Sequence, residues 1–154
     1  MAKAIVMHGT GGPEVLRWEE YEPGDPGAGE VLVRHHAVGL NFIDVYHRMG
    51  LYPLPGLPGV PGMEGAGVVE AVGDGVTEFS VGDRVCYAAV PPGAYAQVRR
   101  IPAHRVIKLP EKIGFDLGAA MMLQGMTARY LLYGCYPVKR GDTILIHAAA
   151  GGVG

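Results

Sequence analysis

Short segments of alternating apolar and polar residues fill most of the chain before residue 110, and turns containing glycine or proline separate them. Alternation with a period of two is typical of a β-strand that buries one face. Strands are predicted for Lys3–Met7, Val15–Tyr21, Glu30–Leu40, Gly65–Gly73, Val81–Tyr87, Ala94–Arg99 and Val106–Leu109. In Val81–Tyr87 the strand follows a turn. Short strands at this spacing predict a compact β-barrel or sandwich.

One segment within this region has helical spacing instead. In Asn41–Met49, the apolar side chains of Phe42 and Tyr46 fall on one side of a helix, and Gly50 is placed to end it. The next segment, Leu51–Gly62, is interrupted by repeated prolines, which exclude regular structure. It is therefore predicted to be an ordered irregular loop or a lid.

The pattern changes near residue 116 from short alternating segments to one long helical segment. Asp116–Tyr133 is predicted to be a helix, with Asp116 as its cap and Gly134 at its end. This change is the best candidate for a domain boundary. It divides the chain into a first domain, 1–115, and the beginning of a second, 116–154.

The chain closes on an apolar run followed by a glycine-rich turn. Thr143–His147 is predicted to be a strand that leads into the turn Ala148–Gly154, as at the start of a phosphate-cradling βαβ unit. Gly151 would let the backbone approach a pyrophosphate. The pattern departs from G-x-G-x-x-G, since Ala149 holds the first glycine position. Taken alone, a tight glycine turn without a ligand is about equally expected.

Composition narrows the function classes. Hydrophobic residues make up 49% and charged residues 18% of the chain, which is ample for a buried core. A net charge of −2 and no long basic run argue against a nucleic-acid or anionic-membrane surface, and no apolar stretch is as long as a membrane span. Two cysteines, Cys86 and Cys135, form no framework. We therefore expect a cytoplasmic protein.

Six motifs in a fixed order carry a resemblance to a known family. They are Val38–Tyr46, Gly50–Pro53, Pro61–Val69, Val81–Val85, Gln124–Ala128 and Ala148–Gly154. With them the chain resembles the N-terminal half of the medium-chain dehydrogenase/reductase superfamily, in particular the zinc-independent, zeta-crystallin-like quinone oxidoreductases. The resemblance implies a mainly β GroES-like barrel with short helices, then the first strand and glycine turn of an α/β Rossmann domain. It also implies NADPH as cofactor, chemistry in the cleft between the domains, and a homodimer of the full-length protein.

The chain departs from the zinc alcohol dehydrogenases of the same superfamily at their catalytic ligands. Asn41 stands where those enzymes carry a cysteine, and Met63 where they carry a histidine. Their third ligand falls near Leu123 or Gln124, again without a thiol. Stable zinc sites need thiolate and imidazole ligands, so no metal is expected. Without a Lewis acid, a good hydride acceptor is the natural substrate, such as a quinone or an activated alkene.

Four residues of the first domain are candidate catalytic residues. Asn41 would bind the cofactor or the substrate carbonyl, or it would simply cap the helix. Asp44 would orient Asn41 or bond nearby backbone. By the resemblance, Tyr46 would contact the cofactor and Tyr52 the substrate, although half-buried packing is an alternative for both. Backbone contacts to the cofactor pyrophosphate are expected from Gly151, Gly152 and Val153.

Two further polar residues have both a functional and a structural interpretation. The hydroxyl of Thr127 would reach a phosphate or the carboxamide of the cofactor, although a threonine inside a helix often bonds its own backbone. Glu64 follows the position of Met63, and we expect it to pair with a cation such as Arg34 or Arg48.

The leading hypothesis is an NADPH-dependent quinone oxidoreductase that transfers hydride without zinc. The first alternative is an NADPH-dependent enoyl-thioester reductase, in which Tyr46 would match only loosely the tyrosine that donates a proton and Arg48 would be a lone basic residue at the cleft mouth. The second is a non-catalytic cofactor-binding protein on the same scaffold. Because a single parallel strand has no partner, we expect the 154-residue chain alone to bind NADPH weakly and to be inactive.

Overall fold

The computed structural model describes residues 1–88 and 90–154. Seven strands form in the following order: β1 (Ala2–Val6), β2 (Arg17–Tyr21), β3 (Glu30–Val38), β4 (Glu64–Val72), β5 (Arg84–Ala88), β6 (Val98–Pro102) and β7 (Val106–Lys108). Helix α1 spans Phe42–Met49, helix α2 spans Phe115–Arg129, and a π-helical turn, Tyr130–Cys135, continues α2. Short 3-10 turns lie at Pro13–Val15 and Ala103–Arg105. None of the helices described is both long and apolar enough to cross a membrane.

The strands form two antiparallel sheets. Strands β1 and β2 make a hairpin, and the other five make a sheet in the order β6-β3-β4-β5-β7. An isolated bridge between Ala4 and Ala96 joins the hairpin to the segment before β6. The central pair, β3 and β4, contains two register irregularities, near Leu32/Val33 and between His35 and Ala37. Such irregularities bend a sheet, and this bend lies where β3 leads into α1.

The main core lies on one face of the five-stranded sheet. Val31 and Val33 of β3 are fully buried, and they are two residues apart, as the alternating pattern predicts. They share one apolar cluster with Val69, Val85 and Ile101 from three neighbouring strands. Burying an aliphatic side chain of this kind contributes about 1.5–3 kcal/mol, so this cluster stabilises the sheet.

Helix α2 covers the opposite face with its first half. Ala119 and Met122 are buried against Ala66 and Cys86 of the sheet. A Cβ added to Gly118 would come within 3.3 Å of the Ala66 side chain, so a residue without a side chain lets the helix approach the sheet closely. The second half of α2 and the residues after it are mostly exposed.

A group of contacts around Arg84 holds the beginning of α2. The Arg84 guanidinium donates hydrogen bonds to the carbonyl oxygens of Pro110, Glu111 and Ile113. It also lies 4.5 Å from the ring centre of Phe115, the first residue of α2. On the same ring, His36 stacks with ring centres 4.3 Å apart. Because Arg84 belongs to β5, these contacts fix the beginning of α2 relative to the five-stranded sheet.

The predicted mainly β fold with short helices is confirmed as two sheets, although the hydrogen-bonded ladders of the described residues do not close into a barrel. The predicted strand Thr143–His147 is wrong: these residues are irregular, because no neighbouring strand supplies the hydrogen bonds of a ladder. The segment predicted as Ala94–Arg99 forms its strand later, as β6. Asp116 does not cap α2, since Gly114 is the N-cap and Asp116 lies in the first turn. Gly134 lies inside the π-helical turn rather than beyond the helix.

Candidate functional site

The N-terminus of α1 is built by Asn41 and Asp44, which form a capping box. Asn41 is the N-cap, with extended backbone, and its backbone N–H donates to the Asp44 carboxylate at 2.9 Å. The Asn41 side chain faces the backbone N–H of Asp44 in return. The N–H of Asp44 also donates to the backbone carbonyl oxygen of Asn41 at 3.0 Å, so both donors at the start of the helix have a partner. The predicted helix is confirmed, and Gly50 ends it in the left-handed conformation, with φ of 82°.

Asp44 also contacts the segment before β6. It is buried, and its Oδ2 accepts a second hydrogen bond, at 2.8 Å, from the hydroxyl of Tyr95. Burial and the neighbouring Asp44 carboxylate raise the pKa of the Tyr95 hydroxyl, so the phenol keeps its proton. Asp44 therefore acts as an acceptor that joins α1 to the sheet edge.

Glu64, the first residue of β4, is only 1% exposed, and both of its oxygens accept hydrogen bonds. Oε1 accepts from Nδ2 of Asn41 and Oε2 from the backbone N–H of Leu123, each at 2.7 Å. The predicted pairing of Glu64 with Arg34 or Arg48 is wrong. Arg34 pairs with Glu70, and Arg48 donates to the backbone of the loop after β1.

Tyr46 and Tyr52 lie together on the outer side of α1. Their rings meet edge to face, with centres 5.5 Å apart, and Phe42 contacts Tyr46 in the same way at 5.4 Å. Phe42 and Tyr52 are 72% and 51% exposed. The structure therefore brings the two predicted tyrosines together as an exposed aromatic cluster. No hydrogen bond within the described part of the chain joins either of them to Asn41.

Thr127 lies in the second half of α2. Its hydroxyl donates to the carbonyl oxygen of Leu123 at 2.7 Å, the backbone bond that is common for threonine inside a helix. This hydroxyl keeps lone pairs that could accept a bond from a ligand, but its proton is in use.

The glycine turn Ala148–Gly154 is compact and exposed. Ala148 has a positive φ of 51°, and its carbonyl oxygen accepts from the N–H of Gly151 at 2.8 Å. A Cβ on Gly152 would lie 2.6 Å from the Gln124 amide, and one on Gly154 would overlap the carbonyl oxygen of Ala148. At Gly154 the clash is with backbone, so only glycine fits there, whereas at Gly152 the end of the Gln124 side chain could move aside. The exposed backbone between them suits the close approach of a phosphate group.

Glu64 connects the two sides of this region. Asn41 lies on one side, and on the other Leu123 is followed by Gln124, whose amide packs against Gly152. Beside Glu64 is a cavity of about 330 Å³, lined by the end of β3 and the residues that follow it up to Leu40, together with Glu64, Gln124 and other residues of α2. This bridge was not predicted from the sequence, although the position of Glu64 beside the expected cleft is a signal that points to it.

The donor set of this region does not fit a zinc ion. Asn41 presents an amide N–H to Glu64, Met63 is buried as a packing residue, and Leu123 contributes only its backbone N–H. N–H donors face the carboxylate where metal ligands would need lone pairs. In the described ranges no group of three or more His, Cys, Asp or Glu side chains is arranged to hold a metal.

Comparisons with known proteins agree with this architecture. The quinone oxidoreductase of Pseudomonas aeruginosa is 55% identical to the whole chain, which covers 47% of that protein. The 2-haloacrylate reductase of a Burkholderia species is 51% identical to the whole chain, which covers 48% of it. The crystal structure of Escherichia coli quinone oxidoreductase complexed with NADPH superimposes with a TM-score of 0.95 at 48% identity, over 99% of this chain and 47% of that one.

The chain thus spans about half the length of the curated relatives it matches. The pattern of the alcohol dehydrogenase GroES-like domain matches residues 27–111, which is more than half of the chain. These residues contain β3, α1, β4 and β5, and with them Asn41, Asp44 and Glu64. The chain therefore belongs to the alcohol dehydrogenase GroES-like domain family, within the medium-chain dehydrogenase/reductase superfamily that its motifs predicted.

Proposed function

We propose that the protein to which this chain belongs is an NADPH-dependent quinone oxidoreductase that works without zinc. The observation that carries the proposal is the match of the whole chain, at 55% identity, to a quinone oxidoreductase. A second quinone oxidoreductase of nearly the same backbone is known with NADPH bound, which supports this cofactor. The donor set around Glu64 supports a reaction that uses no Lewis acid.

The cofactor would supply a hydride to the acceptor. The residues of this chain would bind and align the two partners and exclude water from between them. Backbone N–H groups of Gly151, Gly152 and Val153 would hold the pyrophosphate at the glycine turn. Thr127 would accept a hydrogen bond from the cofactor, since its own proton is donated to Leu123.

Asn41 follows Leu40, a lining residue of the cavity, and would act at its edge. Glu64 takes one hydrogen of Nδ2, and the second remains for an acceptor oxygen on the cofactor or the quinone. A donor placed there would stabilise the negative charge that develops on a quinone oxygen as it accepts hydride. Asp44 would hold Asn41 in place, and the half-buried ring of Tyr46 and the exposed ring of Tyr52 would offer flat surfaces to aromatic ligands.

An activated alkene is a second candidate substrate. It is favoured by the 51% identity of the chain to a 2-haloacrylate reductase, a protein named for the reduction of an alkene conjugated with a carboxylate. The chemistry demanded of the protein is similar, since a conjugated carbonyl also gains negative charge on oxygen when hydride adds to the alkene. An enoyl thioester belongs to the same chemical class.

The test is NADPH oxidation by the purified full-length protein with a naphthoquinone, 2-chloroacrylate or crotonyl thioester, with and without a metal chelator. Turnover of the quinone that the chelator does not change is the expected result. Turnover of 2-chloroacrylate or the thioester alone would move the assignment to an alkene reductase. Saturable NADPH binding with no turnover of any acceptor would identify a non-catalytic binding protein, and loss of activity with chelator would contradict the zinc-independent mechanism.

We also propose a small-molecule partner, a cytoplasmic location and a homodimer for the full-length protein. Both cysteines, buried Cys86 and exposed Cys135, are free thiols, which is consistent with a reducing compartment. Light scattering after size-exclusion chromatography of the full-length protein would test the dimer.

A further inference from the structure

We propose that Glu64 is a positioning residue, which fixes the orientation of the Asn41 amide and its separation from helix α2. The inference rests on the proposed function, because it concerns the same cavity. It stands on three observations: the two hydrogen bonds of the Glu64 carboxylate, the burial of that carboxylate, and the space that a glycine leaves for it.

The two bonds of Glu64 run to different parts of the fold. Oε1 accepts from the side chain of Asn41, at the N-terminus of α1, and Oε2 accepts from the backbone N–H of Leu123 in α2. A carboxylate that accepts one N–H bond on each oxygen is satisfied on both sides. Glu64 is therefore a bridge between two elements that do not follow each other in the chain.

The carboxylate also determines which end of the Asn41 amide faces it. An ionised carboxylate has no hydrogen to donate, so the NH₂ end of Asn41 must point toward Glu64. The oxygen end then points toward the backbone N–H of Asp44, as the capping box requires. The group of Asn41 that remains for a ligand is thus the second N–H of its amide, which is a hydrogen-bond donor. Because Glu64 accepts the first N–H, it determines that a donor and not an acceptor remains.

Gly39 leaves the space that the Glu64 carboxylate occupies. A Cβ at residue 39 would overlap the side chain of Glu64, and the N–H of Gly39 donates to the Glu64 carbonyl oxygen at 3.1 Å. Glu64 is 1% exposed, so water does not replace its partners freely. A change at Asn41 that removes its bond therefore leaves Oε1 of Glu64 buried without that partner.

Glutamine at position 64 tests the bridge, because it has one oxygen and one NH₂ group where glutamate has two oxygens. In E64Q, an NH₂ group that faces the N–H of Leu123 loses that bond, whereas one that faces Asn41 forces the Asn41 amide to turn its oxygen toward residue 64. The matched control is E70Q, on the same strand, where Glu70 forms a surface pair with Arg34. Both variants are made in the full-length protein.

Two readouts separate positioning from general stability. In E64Q we expect kcat with a naphthoquinone to fall by about 10- to 100-fold, in the range that small misplacements of catalytic groups cost, while E70Q stays within about twofold. In a background of N41A, where the amide to be oriented is gone, E64Q should change kcat by less than about threefold. Equal effects of E64Q with and without Asn41, or no effect at all, would overturn the proposal.

A third readout does not depend on turnover. Hydrogen exchange of the peptide that contains Leu123 should be faster in E64A, which removes both acceptor oxygens, than in wild type and unchanged in E70A. If no quinone is reduced but this exchange and the NADPH affinity respond to E64A, only the proposed function fails. Unchanged exchange at Leu123 contradicts the bridge itself. If E64Q does not fold, E64D, which keeps the charge but is one methylene too short to span both donors, gives the same comparison.

Discussion

The hydroxyl of Tyr95 donates a 2.8 Å hydrogen bond to the carboxylate of Asp44, across 51 positions of the sequence. The same carboxylate oxygen accepts the N–H of Asn41, so the start of α1 and the segment before β6 share one acceptor. Asp44 is 5% exposed, and a buried carboxylate is stable only when hydrogen bonds replace its water. Tyr95 is therefore part of what places Asn41 beside Glu64.

Replacing Tyr95 with phenylalanine should destabilise the fold by about 1–2 kcal/mol, because Asp44 loses a donor without gaining access to water. Urea unfolding followed by circular dichroism measures the loss. Tyr133 is 66% exposed and provides the control, since Tyr133→Phe should change stability by less than about 0.5 kcal/mol. Equal stabilities of the two variants would show that the bond to Asp44 contributes nothing.

The stability of the fold should depend on pH through His35. Its Nδ1 bonds the carbonyl oxygen of Ala96 at 2.5 Å, which makes Nδ1 the protonated nitrogen, and Nε2 then accepts from the Tyr87 hydroxyl at 2.6 Å. Burial, opposed in part by the bond to Ala96 and assisted by the charge of Arg99, lowers the pKa of His35 from 6.5 to about 4. The folded state thus favours the neutral ring.

The unfolded state binds a proton on His35 more readily than the folded state, so stability is lost as pH falls. The contribution is fully present above pH 6.5 and disappears between pH 6.5 and about 4. Because part of His35 remains exposed, we expect a loss of about 1–3 kcal/mol over this range. Unfolding free energies measured from pH 7 to pH 4 test this, and the slope should be smaller in His35→Gln but unchanged in His104→Gln, at an exposed site.

Arg84 should not be replaceable by lysine. Its guanidinium reaches three carbonyl groups and a ring face at once, and an ammonium group cannot reproduce this fork. Arg84→Lys should lower stability by about 1–3 kcal/mol and speed hydrogen exchange in the first turn of α2. Arg17 is exposed on β2, so Arg17→Lys serves as the control; matching exchange rates in the two variants would contradict the role of Arg84.

Two glycines of α2 should respond differently to alanine. Around Gly125, which is exposed, a Cβ would meet nothing within 4 Å, whereas at Gly118 it would lie 3.0 Å from the Leu109 side chain. Gly125→Ala should therefore stabilise the helix by about 0.5–1 kcal/mol. Gly118→Ala gains the same helix propensity but must displace Leu109, so its melting temperature should fall below that of Gly125→Ala. A higher melting temperature for Gly118→Ala than for Gly125→Ala would mean that α2 and the sheet move apart easily enough to admit the added methyl group.

Elements that depend on neighbouring residues could be predicted from the sequence. Helix α1 is an example, because its cap at Asn41, its apolar spacing and its stop at Gly50 all lie within ten residues. The strands β3 and β4 were also predicted, since each alternates over its own length. Local signals were weaker for α2. Asp116 was predicted to be its N-cap, but the N-cap is Gly114.

Features that depend on distant partners could not be predicted. Glu64 finds its donors 23 and 59 positions away, and the sequence contains no mark that distinguishes Asn41 and Leu123 from the basic residues proposed as partners. Thr143–His147 has the apolar composition of a strand, but a strand needs a second chain segment beside it, and composition does not supply one. The same reason limits what could be predicted for the site: residue types were identifiable, whereas their orientation was not.

The order of the five-stranded sheet, β6-β3-β4-β5-β7, also has a consequence for self-association. One edge strand, β7, is only three residues long, and the other, β6, ends in Pro102, which has no backbone N–H to offer. Long unprotected edge strands are templates on which further chains add and aggregate, and short strands and prolines at an edge oppose this. The central strands contain the valine-rich sequences most prone to such pairing. Because they lie between these two edges, a second molecule finds little free backbone with which to form a new strand pair.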